Sequence, residues 1–344
     1  MAEKISKKIK RDKLIESLKL VSPGTVLRTA IDDLLQAGMG ALIVVNSPDL
    51  KNIIEGGFKV NTKLTHQRIV ELAKMDGAII ISSDLSKILL ANVLLFADIN
   101  IPTNETGTRH KAAERTAKQV DTLAIAISER RKKITIYHGK LRYILKNTEE
   151  LLSRATETLQ ILEKQRELLD ELLSNLNVLE ISGLVVVSDV CSVLQRIEIL
   201  MRTAKTIERY LIELGREGII IKMRLRELLK NVEKEKKFIL RDYCAKENAL
   251  NEFSFDDLLD ADNIAHLLFS KSAEEKIFAK GYRILNKMSL EKNEIDNLIK
   301  KIGDLNTILE TDETPLKKVL GTRKEHFQKE VSSLKEQIMM AKKI

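Results

Sequence analysis

The chain has 344 residues, enough for two or three domains with ample core material. Charged residues make up 31% and aromatics 4%, with no Trp and four Pro, a profile that suits a helix-rich chain rather than a sheet protein. Lys and Arg outnumber Asp and Glu by 58 to 50, a formal +8 compatible with a nucleotide or nucleic-acid partner but too diffuse to identify one. No run approaches the roughly 20 apolar residues of a membrane span, and the N-terminus lacks an apolar signal core. Cys191 and Cys244 are isolated, without pairing or metal spacing, which predicts a reducing cytoplasm.

In chain order, residues 25–37 place Leu27, Ala30, Ile31, Leu34 and Leu35 at helical spacing, with Gly38 as the stop. Ala41–Val45 predicts a buried strand closed by Ser47-Pro48-Asp49. Residues 65–74 predict a short helix, Asp76-Gly77 a turn and residues 78–82 a further strand. Strands are also predicted at 88–96, 122–127, 134–138 and 141–145, the last two joined by the hairpin signal His138-Gly139-Lys140. Strands and helices alternate to about residue 146, and there the period changes. Leu152, Leu159 and Leu173 recur every seven residues, with Ala155, Leu162, Leu169 and Leu176 three places later and Arg166 in one apolar slot. This predicts a helix of about thirty residues with a coiled-coil-like seam. Helices are predicted at 189–213 and 218–240, then short helices over 275–344 split near Gly303 and at Thr314-Pro315.

The chemistry concentrates in two segments. Asp76-Gly77-Ala78 sets a carboxylate at a tight turn, the place for a metal. Gly107-Thr108-Arg109-His110-Lys111 opens into a helix-forming run, and a helix N-terminus with adjacent cations suits a polyphosphate. Thr108 is expected to cap that helix and donate to a phosphate oxygen, and Arg109 to grip phosphate with its planar fork. Other site classes are absent. Gly38-Met39-Gly40 precedes a strand, the wrong order for a dinucleotide fingerprint. No Gly-x4-Gly-Lys-Ser/Thr loop or serine-nucleophile motif occurs, and His66, His138, His266 and His326 show no metal spacing.

The ordered blocks Gly40-Ala41-Leu42-Ile43, Gly56-Gly57-Phe58, Lys74-Met75-Asp76-Gly77-Ala78, Ala91-Asn92-Val93, Ile101-Pro102-Thr103 and Glu105-Thr106-Gly107-Thr108-Arg109-His110 resemble the diadenylate cyclase domain of bacterial DNA integrity scanning proteins. The likeness is close over residues 7–146 and looser to the C-terminus. It implies a multi-domain chain: an α/β cyclase domain with a central mixed sheet at 1–146, an all-α spine at 147–273 and a small all-α helix-hairpin-helix-like domain at 274–344. It implies a nucleotidyltransferase that condenses two ATP into cyclic di-AMP with Mg²⁺ or Mn²⁺ across a face-to-face domain pair, in a cytoplasmic homo-oligomer, an octamer, without membrane contact.

By the same resemblance Asp76 binds the metal and acts in catalysis with Arg109 and His110. Gly77, Ala78, Leu95, Gly107, Thr108, Arg109, Lys111, Ser128 and Arg131 bind ATP. Three departures mark the chain: Lys111 where the family has Arg, Ala112 where Thr is common and Glu129 where a cation is common. They predict a weaker hold on the terminal phosphates, and they motivate the rival reading of a catalytically lapsed ATP-sensing, DNA-binding scaffold. In the C-terminal domain the resemblance implies hairpins that bind DNA phosphates, with junctions or damaged duplex as the regulating ligand. Gly321, Arg323 and Lys324 are the candidate contacts, although Val319-Leu320-Gly321-Thr322-Arg323 keeps one glycine of the Gly-x-Gly hairpin.

Overall fold

The computed structural model describes residues 12–243, 250, 253–259, 261–311 and 313–339. Cys244 lies outside them, as does the chain before residue 12. The described chain divides into two compact units. The first takes in the chain up to Thr156 together with Glu208–Lys222, and the second takes in Glu157–Ile207 and the chain from Met223 onward.

The first unit is an α/β sandwich. Helix α1 covers residues 12–20 and α2 covers Val26–Gln36, where the Thr25 side chain accepts from the Arg28 N–H as the N-cap. The chain stops at Gly38, whose φ of +67° is easy only for glycine. Strands β1 (Ala41–Val45), β2 (Ile54–Glu55) and β3 (Phe58–Lys63) follow, then α3 (His66–Leu72), β4 (Ala78–Ile81) and β5 (Lys87–Leu95). Helix α4 (Thr108–Val120) leads into β6 (Leu123–Ser128), β7 (Lys133–His138) and β8 (Leu141–Ile144). The sheet order is β2-β5-β4-β1-β6-β7-β8, with β3 also paired to β5. Only β1 and β4 run parallel among these pairs, so the sheet is mixed as expected.

Alternation along the strands explains the two cores. Ile43, Ile79, Ile81, Ile125, Ile127 and Ile136 face α2 and α3, meeting Leu27, Ile31, Leu34 and Ile69. Leu42, Val44, Ile80, Ala124, Ala126 and Tyr137 face the other way, onto Ala113, Ala117 and Val120 of α4. Alanine meets alanine at this second interface, so α4 lies close on β6 and its N-terminus is set at the end of that strand. Strands β2 and β3 lie at the sheet's edge with most of their side chains exposed, although Phe58, Val60 and Thr62 alternate with Lys59, Asn61 and Lys63 along β3.

The helical region comprises α5 (Thr148–Ser182), α6 (Val187–Leu214), α7 (Ile219–Leu228), α8 (Val232–Asp242), α9 (Ala261–Phe269), α10 (Tyr282–Leu285), α11 (Lys292–Lys301), α12 (Leu305–Glu310), α13 (Glu313–Leu320) and α14 (Lys324–Met339). One column of the predicted seam on α5, Ala155, Leu162, Leu169 and Leu176, is fully buried, while Leu152 of the other column is exposed. Arg166, in the slot where an apolar residue is expected, donates from Nη1 to the carbonyls of Leu228 and Lys230 and so closes the C-terminal end of α7. The helix predicted over 218–240 is two helices, α7 and α8, because Asn231 takes a left-handed φ of +64° between them. The break expected at Thr314-Pro315 lies earlier: α12 is capped by Thr311 in an extended conformation, and Pro315 sits in the first turn of α13, where its missing N–H has no helical partner to lose.

Candidate functional site

Gly107 is the N-cap of α4 and makes no side-chain capping bond, so the first N–H groups of this 13-residue helix are left to a ligand. Thr108, expected as the cap, is instead the first helical residue. Its backbone N–H therefore joins those open donors. The loop before the helix is tied to it: Arg115 Nε donates to the Ile101 carbonyl at 3.1 Å, Lys118 Nζ to the Pro102 carbonyl at 2.7 Å, and the Thr103 hydroxyl to Glu114. These anchors give the Ile101-Pro102-Thr103 block a structural task beside the site.

A cleft of about 570 Å³ opens at this helix end. That is the size of a small-molecule site. Thr106, Gly107, Thr108, Arg109 and His110 form one wall, and Ser128, Arg130, Arg131 and Lys133 of the β6–β7 turn form another. Arg142 and Ile144 of β8 complete it, with Glu105 and Glu129 as its carboxylates. The Ser128 hydroxyl accepts from the Arg131 N–H at 3.3 Å, which shapes the turn. Of the predicted ATP-binding residues, Gly107, Thr108, Arg109, Ser128 and Arg131 thus meet in one place, and Lys111 is not among the lining residues.

Asp76 stands at the turn before β4 with a fully exposed side chain, and its Oδ1 lies 3.8 Å from Arg109 Nη2. Gly77 is forced here twice over. Its φ is +91°, and a Cβ would come within 2.9 Å of the β5 backbone at Asn92 and Val93. Ala78 pairs with Val93 of the adjacent strand, which ends at Leu95, and Gly77, Ala78 and Leu95 all lie outside the cleft lining. Gly40 carries a parallel constraint: a Cβ would stand 2.3 Å from Arg109 Nη1, so the bare glycine is what lets the guanidinium lie beside β1.

Sequence reasoning missed the cleft's far side. Glu105 Oε1 accepts from Tyr137 Oη at 2.8 Å and from Arg142 Nε at 2.5 Å. Burial acts to raise the Glu105 carboxyl, but the hydrogen bonds from Arg142 and Tyr137 and the charges of Arg142 and His110 outweigh it and hold the group below its ordinary value. His110 packs edge-on against Tyr137, with ring centroids 6.5 Å apart. Burial, together with the charges of Arg142, Arg131 and Arg109, lowers the imidazole against the opposing pull of Glu105, which favours its neutral form. The signal that could have found these residues is the strand pairing of Tyr137 with Arg142 across the predicted hairpin.

Diadenylate cyclases work with a divalent metal. Among the described residues no cluster of three His, Cys, Asp or Glu is placed to hold one. The lone exposed carboxylate of Asp76 fits a cation that takes its remaining oxygens from substrate phosphates and water, the habit of Mg²⁺, and does not fit a cage made by protein alone.

In the helical region the candidate DNA contacts are engaged elsewhere. Gly321–Arg323 form a 3₁₀ turn with Gly321 at φ +55°, and Arg323 Nη1 lies 3.1 Å from Glu294 while Nη2 lies 3.7 Å from Glu291. Lys324 begins α14. No described helix is long and apolar enough to cross a membrane.

An α/β domain with a cationic cleft at an open helix N-terminus is a nucleotide-binding domain, and comparison with known proteins makes it a diadenylate cyclase, a nucleotidyltransferase. The family described as the DisA bacterial checkpoint controller nucleotide-binding region matches residues 28–141, and the DisA bacterial checkpoint controller linker region matches residues 145–277. A DNA integrity scanning protein DisA from Acetivibrio thermocellus is 46% identical over 91% of this chain and 91% of its own length. Relatives of the same name from Clostridium botulinum (40% identical, 96% of this chain and 98% of theirs) and Clostridium kluyveri (41%, 98% and 99%) match at nearly full length. The chain belongs to the DNA integrity scanning protein DisA family, as its motif blocks predicted.

Proposed function

We propose that the cleft at the head of α4 holds the triphosphate of one ATP, and that two such domains facing each other join two ATP into cyclic di-AMP. The observation that carries this reading is the uncapped N-terminus of α4 opening into a cleft lined by Arg109, Arg131, Lys133 and Arg142. Open N–H groups and fixed cations stabilise the charge that develops on departing pyrophosphate. Each 3′-hydroxyl oxygen bonds to the α-phosphorus of the opposite ATP while the bond from that phosphorus to the bridging oxygen breaks, and the hydroxyl proton leaves to solvent.

Asp76 is the carboxylate for Mg²⁺ or Mn²⁺, and the ion when bound polarises the phosphate and acidifies the hydroxyl. Arg109 bridges the two halves of the site, close to Asp76 and lining the phosphate cleft. Its planar fork suits the transferring phosphate. Thr108 donates to phosphate oxygens, Ser128 and Arg131 hold the tail, and His110 serves as a donor beside it. Gly77, Ala78 and Leu95 border ribose and base. Lys111 keeps its charge outside the cleft lining, and Glu129, which does line the cleft, opposes the terminal phosphates. A weakened hold on ATP follows.

One domain holds one ATP, so turnover requires a homo-oligomer, which we infer to be an octamer joined through the helical region. Equal specific activity from a monomer in sedimentation-coupled assays would sink the paired-domain mechanism. We assign residues 1–146 to the cyclase, 147–273 to the spine and 274–344 to a helix-hairpin-helix-like domain, and place the protein in the cytoplasm with its substrate. The relatives are named for DNA integrity scanning, and Arg323 and Lys324 are our candidates for a DNA contact beside Gly321. Arg323 must first leave Glu291 and Glu294, so we infer a weak contact that added salt removes.

The test of the catalytic reading is purified protein with ATP and Mg²⁺ or Mn²⁺, followed by mass detection of cyclic di-AMP. Asp76→Asn should lower product at least ~100-fold, the scale of losing one transition-state contact. Its unfolding midpoint should hold, because the side chain is fully exposed. Undiminished product would refute the role given to Asp76.

A further inference from the structure

Arg142 reaches the cleft from β8, whereas Arg109 comes from α4 and Arg130, Arg131 and Lys133 from the β6–β7 connection. It is held in an unusual way. A carboxylate in an anion-binding cleft opposes the ligand unless a cation neutralises it, and Glu105 is neutralised by Arg142. Glu105 is itself fixed from beneath by the hydroxyl of Tyr137, a fully buried ring on the adjacent strand. Only the Nε edge of Arg142 is committed to Glu105. The guanidinium also lies within hydrogen-bonding reach of the Tyr137 hydroxyl, and about half of the side chain is exposed. A half-exposed guanidinium held in place by Glu105 and Tyr137 is preorganised for a second anion.

Position selects which anion. In the order β4-β1-β6-β7-β8 the strand carrying Arg142 lies four strands from the one that follows Asp76. At about 4.8 Å per strand this is roughly 19 Å. With the ribose and α-phosphate placed near Asp76 by the function proposed above, the β- and γ-phosphates are the parts of the nucleotide that extend toward Arg142, and the long Arg142 side chain covers the remainder of that span.

We propose that Arg142 binds the terminal phosphates of the nucleoside triphosphate, with Glu105 and Tyr137 as the positioning pair that presents it. The proposal rests on the triphosphate occupying the cleft. Arg142 then distinguishes ATP from nucleotides that lack the β- and γ-phosphates.

Calorimetric titration of the full-length protein with Mg²⁺ and a non-reacting methylene-bridged ATP analogue, and separately with AMP, decides the matter. Arg142→Ala should weaken the ATP analogue about tenfold, the effect of one charge-assisted hydrogen bond, and leave AMP unchanged. Arg142→Lys, which keeps charge but not the fork, should fall between. Unchanged binding of the ATP analogue overturns the proposal, and so does an equal loss for both ligands, since that marks a collapsed cleft. Arg109→Ala is the reference. If it weakens the analogue and Arg142→Ala does not, the triphosphate reading stands and Arg142 falls. If neither weakens it, both fall.

Discussion

In the first unit Arg109, Arg131, Lys133 and Arg142 line a cleft open to water, with Glu105 the carboxylate that ties one of them down. In the second unit Arg283 is sealed from water. Its Nη2 donates to Glu180 Oε2 at 2.6 Å, and the Tyr243 hydroxyl donates to the other oxygen of the same carboxylate at 2.8 Å. Buried Asp242 beside them accepts backbone N–H groups of Gly281 at 2.8 Å, Tyr282 at 2.5 Å and Arg283 at 2.9 Å, fixing the start of α10. Lys236 and Arg202 likewise converge on buried Glu198. A charge removed from water must be answered by the protein, whereas a solvated cation can wait for a ligand. The same residue type therefore builds architecture in one unit and stays open to solvent in the other.

That contrast can be broken at three points. The largest effect should come from Arg283→Ala, which leaves the buried Glu180 charge without its cation and should destabilise by about 3–5 kcal/mol in urea unfolding. A loss under about 1 kcal/mol would mean that the sealed network does not hold the second unit together. Gly40→Ala should act on the open side. Its Cβ meets the movable end of Arg109, so cyclic di-AMP formation should fall about tenfold while the unfolding midpoint shifts little. In an Arg109→Ala background the same change should cause no further loss of activity, and additive losses would show that Gly40 acts otherwise. The smallest effect belongs to the half-exposed pair of Arg323 with Glu294. Arg323→Ala should alter stability by less than about 1 kcal/mol. If Arg323 reaches DNA, the slope of log affinity against log salt should drop by about 1, as for one lost phosphate contact. An unaltered slope would remove Arg323 from the interface.

The parts of the fold that were legible were those with strong apolar pattern. Ala41–Val45, residues 78–81 and Leu123–Ser128 are buried runs, and each emerged as a central strand. Strands β2 and β3 were not, because an edge strand such as Phe58–Lys63 exposes most of its side chains and is held by pairing to β5 rather than by burial. The division of residues 218–240 into two helices turned on one left-handed residue, Asn231, in an otherwise helix-forming run. In the cleft, Gly107 to His110 were legible because a glycine and cations at a helix start carry their chemistry locally. Glu105, Tyr137 and Arg142 were not, because they meet only through the hairpin of β7 and β8 and the loop before α4.

Contiguous blocks of sequence were enough for the family and for the mixed α/β domain followed by helices, and they supplied Asp76-Gly77 and Gly107 to His110 as candidate site segments. Tertiary structure alone decided that Arg109 approaches Asp76 beside a bare Gly40, that Arg142 is pinned by Glu105, and that Arg323 is spent on Glu291 and Glu294. The physical reason is range. Periodicity and turn chemistry act over a few neighbouring residues, whereas the partner of a charge is chosen by which strands and helices the packed core brings together.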